Sequence, residues 1–416
     1  MKKLAKFLTA LLMVGVLAVP SYAATIGDDG IANSSDTTVN IPKSITVMNN
    51  GFDKSYSPTI TYTFSIAPSS NLGKIKDANN IQANVKAGVA GGITTTASVA
   101  FTPELVEDTG ANSLHKEVVK NIELTVDLTK FTDPGVYRYT ITDTTTDATL
   151  EAAGIVRGIT FDPTRELDVY IVRNSTNGSL EISGYVLLDE IPPIVVGSTM
   201  KSPGYVIDGD IIENHEIGQD GIDGTDDDVY TYSVGDDETI DRYVTVNYDV
   251  TKIIDGNMAD ANHEWAFTAE VATSDKYFAG VDAQNAEEKT DTQFTFGLKG
   301  GDSYYVYAVN PKDQVTFSEE NNSSNTCLLT ATINGQVDVE HYELTPNSGY
   351  GVVTNPPYSG VTGLAPANIS VVVTNLVNAP STTGFLMRVL PFIALAGIMG
   401  GALVVIKKVK FGKEDK

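Results

Sequence analysis

Three polar residues, each at the end of an apolar row, hold the chemistry of this sequence. Residues two apart on a β-strand share a face. Val244, Val246, Tyr248 and Val250 make one such row, and Lys252 extends it. Ile369, Val371 and Val373 make another, extended by Asn375, and Val315 and Phe317 lead in the same way to Glu319. A lone charge in an apolar site shifts its pKa or finds a partner. Together the three can react. Desolvation favours a neutral lysine amine and a protonated glutamic acid; the amine is a nucleophile and the asparagine amide an electrophile. Glu319 would polarise the Asn375 carbonyl and shuttle a proton, ammonia would leave, and an amide would join Lys252 to Asn375. Each residue alone also has a plainer role: a lysine that snorkels to water, an asparagine that opens a turn, a glutamate that starts a solvated loop.

The elements that must position them are strands. Thr, Val, Ile and Tyr alternate with polar residues in short runs bounded by Gly, Pro, Asn and Asp, as in Thr59 to Ile66, Ile122 to Leu128, Val136 to Asp143, Glu166 to Arg173, Tyr243 to Ile253, Glu264 to Val271 and Ile369 to Asn375. This spacing predicts an all-β chain of antiparallel sandwiches, and 416 residues suggest more than one domain. Asp208 to Asp241 breaks the pattern. It is rich in Asp and Gly and reads as a linker or an inserted loop. Asp220, Asp223, Asp226 and Asp228 within it could offer oxygen ligands to Ca²⁺ or form a solvated acidic turn; their spacing is not that of an EF-hand.

Composition narrows the function. With 53 Asp+Glu against 28 Lys+Arg and a net charge of −25, nucleic-acid binding is not expected. One cysteine, Cys327, excludes a disulfide framework and a cysteine metal cluster, and four scattered histidines offer little to zinc or to a Ser/His hydrolase. No cofactor is implied.

The two ends give an address. Residues 1–23 combine Lys2, Lys3 and Lys6 with an apolar stretch and the small-x-small site Ser21-Tyr22-Ala23, the pattern of a secretory signal peptide. Val389 to Ile406 is apolar and long enough to cross a bilayer, and Lys407, Lys408, Lys410 and Lys413 follow it. A transmembrane helix is therefore expected over 386–406. Ahead of it, Pro380-Ser381-Thr382-Thr383-Gly384 resembles a Gram-positive cell-wall sorting signal. That resemblance implies that a sortase cleaves between Thr383 and Gly384. The pattern departs from the family's in lacking a Leu before Pro380 and in placing two residues between Pro380 and Thr383; a plain membrane anchor is the other reading.

A wider resemblance covers roughly residues 36–384. Val250-Thr251-Lys252-Ile253-Ile254-Asp255-Gly256-Asn257, Glu264-Trp265-Ala266-Phe267-Thr268, Phe294-Thr295-Phe296-Gly297-Leu298-Lys299-Gly300 and Val371-Val372-Val373-Thr374-Asn375 occur in an order that resembles the second domain of the streptococcal pilin isopeptide-linkage family. Phe131-Thr132-Asp133-Pro134-Gly135-Val136-Tyr137-Arg138-Tyr139-Thr140-Ile141-Thr142-Asp143 resembles its first domain. The resemblance implies two tandem immunoglobulin-like, CnaB-like β-sandwich domains, over 24–207 and 243–378, separated by the acidic segment 208–242 and followed by a sorting segment over 379–416. It implies an autocatalytic isopeptide bond between Lys252 and Asn375 with Glu319 as proton shuttle. In the first domain Lys43 matches the reactive lysine, and Val39, Ile41, Lys43, Ile45 and Val47 share a face; Asp143 stands where the family has Glu. The last-strand Asn is missing: Ser198 falls near that place after Ile194 and Val196, and if the last strand is instead Gly204 to Asp208, Asp208 could be an acceptor carboxyl.

Members of the family are pilus shaft subunits. The expected partners are therefore a sortase, neighbouring subunits or cell-wall peptidoglycan, and, before sorting, the membrane. The expected place is the cell surface, and the only catalysis a single internal turnover. The inter-subunit lysine that the family requires has Lys201 as its nearest counterpart. A monomeric anchored adhesin on the same scaffold is the alternative.

Overall fold

A computed structural model describes residues 23–377, except 77–81, 109–112, 159–160, 190–193, 197–200, 203, 206–210, 217–228, 235–240, 273–274, 320–325, 334–335, 345–349 and 353–367. The signal peptide, Asp208, the acidic run from Asp220 to Asp228, Thr383-Gly384 and the 386–406 span lie outside the described residues. Among the described residues no helix is long and apolar enough to cross a membrane.

The chain is almost entirely β, and it divides into two compact units, the first running to Thr245 and the second beginning at Val246. In the first unit, one sheet contains the strands Ile155–Val156, Arg242–Val244, Thr38–Asn50, Ser113–Val126 and Ile93–Thr95 in that order. The facing sheet is centred on Gly135–Asp143 and Thr164–Arg173. Val39, Ile41, Ile45 and Val47 point from the first sheet into a core shared with Tyr137, Tyr139, Ile141, Leu167 and Val169 from the second. Their period-two alternation puts one side of each sheet inside. The opening strand, Thr38–Asn50, pairs antiparallel with Ser113–Val126 on one side. On the other it runs parallel to Arg242–Val244, with Arg242 facing Thr46 and Val244 facing Met48.

That last pairing corrects the domain boundary. Tyr243 to Ile253 reads as one strand in the sequence, but it is two. Thr245 is the break: its amide donates to Met48 O (2.9 Å) and its hydroxyl accepts from Asn49 Nδ2 (2.7 Å), which pins it to the first sheet. Val246–Asp255 then opens the second unit. Val244 therefore does not belong to the Lys252 row, and the expected second-domain start at 243 moves to 246. The acidic segment is an insertion within the first unit, because the chain returns to that unit's sheet after it. Ile211–Glu216 and Val229–Val234 pair within it as an antiparallel two-stranded sheet.

The insertion splits the closing strand of the first unit. Tyr205 forms a parallel bridge to Lys43, with Ser44 N donating to Tyr205 O (2.9 Å) and Tyr205 N to Pro42 O (2.8 Å). Gly204 permits this approach: its φ is +124°, and a Cβ there would stand 2.5 Å from Pro42 O. Past the insertion, Thr46 N donates to Asp241 O (3.0 Å), and Arg242–Val244 completes the strand.

In the second unit, Val246–Asp255 lies between Ser303–Val309, antiparallel, and Asn368–Leu376, parallel, in a seven-stranded sheet. A four-stranded sheet of Gln293–Leu298, Trp265–Val271, Val315–Glu319 and Tyr350–Val352 faces it. Val246, Tyr248 and Val250 from one sheet and Phe267, Val315 and Phe317 from the other share the core. Each such side chain contributes about 1.5–3 kcal/mol by leaving water.

Candidate functional site

In the second unit the opening and closing strands are neighbours, and their register decides what meets. Lys252 faces Val373, and Asn375 faces Ile254. Asn375 thus lies two positions diagonally beyond Lys252, on the same inward face. Glu319 is the last residue of Val315–Glu319 in the opposite sheet and reaches across the core. Lys252 Nζ donates to Glu319 Oε2 at 2.6 Å, and Asn375 Nδ2 donates to Glu319 Oε1 at 2.5 Å. The structure therefore brings together the three residues that strand parity singled out. Lys252 is 0% and Asn375 1% exposed.

Aromatic rings wall the site. Lys252 Nζ sits 4.7 Å from the Trp265 ring centroid and 5.6 Å from that of Phe267. The rings keep water away from the amine and stabilise its charged form through their π faces. One detail differs from expectation. Glu319 was expected to polarise the Asn375 carbonyl, but it accepts from the amide nitrogen instead, and Asn375 Oδ1 is buried without a hydrogen bond. The carboxylate thus stands where it can carry a proton from Lys252 to the leaving nitrogen.

Its structural neighbours are streptococcal major pilins. The chain is similar to the major pilin T3.2 of Streptococcus pyogenes at 17% identity, over 83% of this chain and 99% of that one, with a TM-score of 0.46. It is similar to another S. pyogenes major pilin at 16% identity, over 82% and 99%, with a TM-score of 0.44. A pilus-presented adhesin matches at 10% identity over 81% of this chain and 100% of that one, with a TM-score of 0.25. No protein-family model matches the chain, and no curated protein matches its sequence.

The first unit contains a second buried cluster. Lys43 is 1% exposed; its Nζ donates to Asp241 Oδ2 at 2.7 Å and lies 3.8 Å from Asp143 Oδ2. Asp143, the last residue of Gly135–Asp143, comes from the facing sheet. Thr145 N donates to its Oδ1 (2.9 Å), and an Arg157 Nη1 lies 3.8 Å from its Oδ2. Burial raises the Asp143 pKa, opposed by Lys43, Thr145 and Arg157. The Tyr62, Phe161 and Tyr205 rings lie 4.3, 5.3 and 6.0 Å from Lys43 Nζ. Burial pushes the Tyr62 hydroxyl pKa well up, and the nearby Asp241 and Asp143 carboxylates add to it. The strand sequence pointed to Lys43 and Asp143 but not to Asp241; Tyr205 bridges to Lys43, and Asp241 meets the same strand at Thr46.

Lys201 is half-buried and makes an antiparallel bridge to Leu188. Among the described residues no group of three or more His, Cys, Asp or Glu side chains could hold a metal ion.

Proposed function

We propose that this protein is a pilus-type structural subunit of a Gram-positive cell surface, exported by its leader, joined by a sortase at Thr383 and made mechanically continuous by an internal Lys252–Asn375 amide. The observation that carries this reading is a single carboxylate, Glu319, hydrogen-bonded at once to a fully buried lysine amine and a fully buried asparagine amide. Such an arrangement has little use as a binding site, because the Lys252 amine and the Asn375 amide are both buried. It suits one internal reaction.

The hydrogen bond from Lys252 Nζ to Glu319 Oε2 is the path by which the ammonium loses a proton. The freed amine attacks Asn375 Cγ. The Nζ–Cγ bond forms and the Cγ–Nδ2 bond breaks. Nζ gives up two protons in all, one before attack and one as it becomes the amide; Glu319 passes one of them to Nδ2, which leaves as ammonia, and keeps the other. No external reagent is consumed, and Glu319 ends as the neutral acid. The product ties the opening strand of the unit to the closing strand that runs parallel beside it. A pull on the two ends then passes through the amide, and the strands cannot be peeled apart. With Cys327 alone, the chain has no disulfide route to the same end.

Polymerisation through Lys201 and anchoring through the C-terminal span extend the same reading. Intact mass of the full chain tests it. One Lys–Asn bond removes one ammonia, about 17 Da. The loss should vanish in Lys252→Ala and in Asn375→Ala. A chain that retains the mass of its sequence overturns the cross-link.

A further inference from the structure

We infer that Asp255–Gly256 is a site of spontaneous main-chain rearrangement: the Asp255 carboxyl condenses with the Gly256 amide nitrogen to a cyclic imide, and hydrolysis of the ring leaves isoaspartate at the end of the strand Val246–Asp255. The reaction uses these two residues and water, and it needs neither Lys252 nor Asn375.

The Asp255 carboxyl is folded back over the peptide that follows it. Gly256 N donates to Asp255 Oδ1 at 2.7 Å, so the nitrogen lies beside Cγ, one bond from that oxygen. Nucleophile and acyl carbon are thus held together before any reaction, the condition that speeds an intramolecular attack. Gly256 has a φ of +112°, and its lack of a Cβ both permits that backbone and leaves the nitrogen uncovered. Asp255 is the last residue of its strand, its main-chain oxygen accepting from Val377 N at 2.7 Å. Every residue from Asn257 to Glu264 is exposed, which gives the loop room to adjust as the ring closes and brings water to open it.

Two other pairs of the same kind are held apart from this chemistry. Gly30 N donates to Gly27 O (2.8 Å), while Asp29 Oδ1 accepts from Ile31 N (3.0 Å). Gly178 N donates to Asn174 O (2.9 Å), while Asn177 Oδ1 accepts from Ser179 N (3.0 Å) and Ser179 Oγ (2.7 Å). In each, the glycine nitrogen and the preceding side chain face different partners. At Asp255–Gly256 they face each other.

The steps balance without an outside reagent. The bond from Gly256 N to Asp255 Cγ forms, one Cγ–Oδ bond of the neutral acid breaks, and the departing hydroxyl takes the amide proton and leaves as water. One water then returns to the ring. Opening between the nitrogen and Cγ restores aspartate. Opening between the nitrogen and the Asp255 main-chain carbonyl carbon leaves the chain running through Cβ and Cγ, longer by one methylene. The old carbonyl becomes a free carboxylate that still accepts from Val377 N, so the strand end keeps its partner and the net charge is unchanged.

Peptide mapping of the aged full chain decides it. The chain is held folded in warm buffer and digested at intervals. The peptide carrying Asp255–Gly256 should split into two species of equal mass, one of which resists an aspartate-specific protease at residue 255 and accepts a methyl group from isoaspartyl methyltransferase. That species should grow at least about tenfold faster than its counterpart from Asp29–Gly30. In denaturant, where neither pair keeps its native partners, the difference should vanish. Asp255→Glu should give one species, because the longer side chain closes a less favourable ring. Asp255→Asn should pass through the same imide with loss of ammonia, and its products should be about 1 Da heavier than the unreacted chain. A single species at Asp255 after ageing overturns the inference. So does isoaspartate forming as fast at Asp29, or a rate difference that persists in denaturant.

Discussion

Asn375 lies diagonally beyond Lys252 on the neighbouring parallel strand, and this offset puts both side chains on one carboxylate, that of Glu319. Had they been directly opposite, one residue could not reach the far sheet without displacing the other. The diagonal leaves room for Glu319 between them.

Glu319→Ala should therefore do two things. The chain should keep its full second-unit mass, because no group remains to take the Lys252 proton. It should also lose stability, since the buried Lys252 loses its ion pair with Glu319; breaking such a pair costs about 3–5 kcal/mol. Mass spectrometry and calorimetry on the same sample check both effects.

Abolishing the bond should leave a measurable entropic gap. Closing a loop of about 120 residues contributes about 4–5 kcal/mol by analogy with a disulfide. Asn375→Ala should therefore unfold at a lower temperature and lower denaturant concentration than the wild type. A transition at the wild-type midpoint would show that the cross-link does not hold the unit together.

Asp249 should give the second unit a pH dependence. Burial raises its carboxyl from 3.8 to about 6, against an opposing hydrogen bond from Ser370 Oγ. The folded state then binds a proton more tightly than the unfolded state. Stability is fully present below the unfolded value and is lost as pH rises through about 4 to 6, by as much as about 3 kcal/mol. Asp249→Asn should unfold at a higher temperature than wild type at pH above 7, and the gap should close in acid.

In the first unit, Arg138 and Asp168 form a buried two-pronged ion pair, with contacts of 2.6 and 2.7 Å. Asp168→Ala should destabilise by about 3–5 kcal/mol, whereas replacing both residues with apolar ones of similar volume should be close to neutral. Denaturant melts of the single and double variants separate the two cases.

The second site was legible because three uninterrupted rows of alternating residues ended in polar groups, and alternation alone fixed the face of Lys252, Asn375 and Glu319. Most strands were legible for the same reason: Glu166 to Arg173 and Ile369 to Asn375 each fall within an observed strand. Asp241 was not. It stands just ahead of the three-residue strand Arg242–Val244, so no row of alternating residues leads to it. Val244 misled for a related cause. Its parity matches that of Val246, but Thr245 is pinned to Met48 and Asn49, and the chain changes sheets there. Periodicity reads faces along one strand; it does not register a change of partner.

The divided closing strand leaves this protein a tolerant address. Both of its pieces are gripped by Thr38–Asn50, so the excursion between Tyr205 and Asp241 can lengthen, shorten or change its charge without loosening the sheet that bears it. A load along the chain enters and leaves that excursion through two anchored ends, which shield it from stretching. Variants among natural copies of this protein should therefore concentrate here, where novelty is mechanically free.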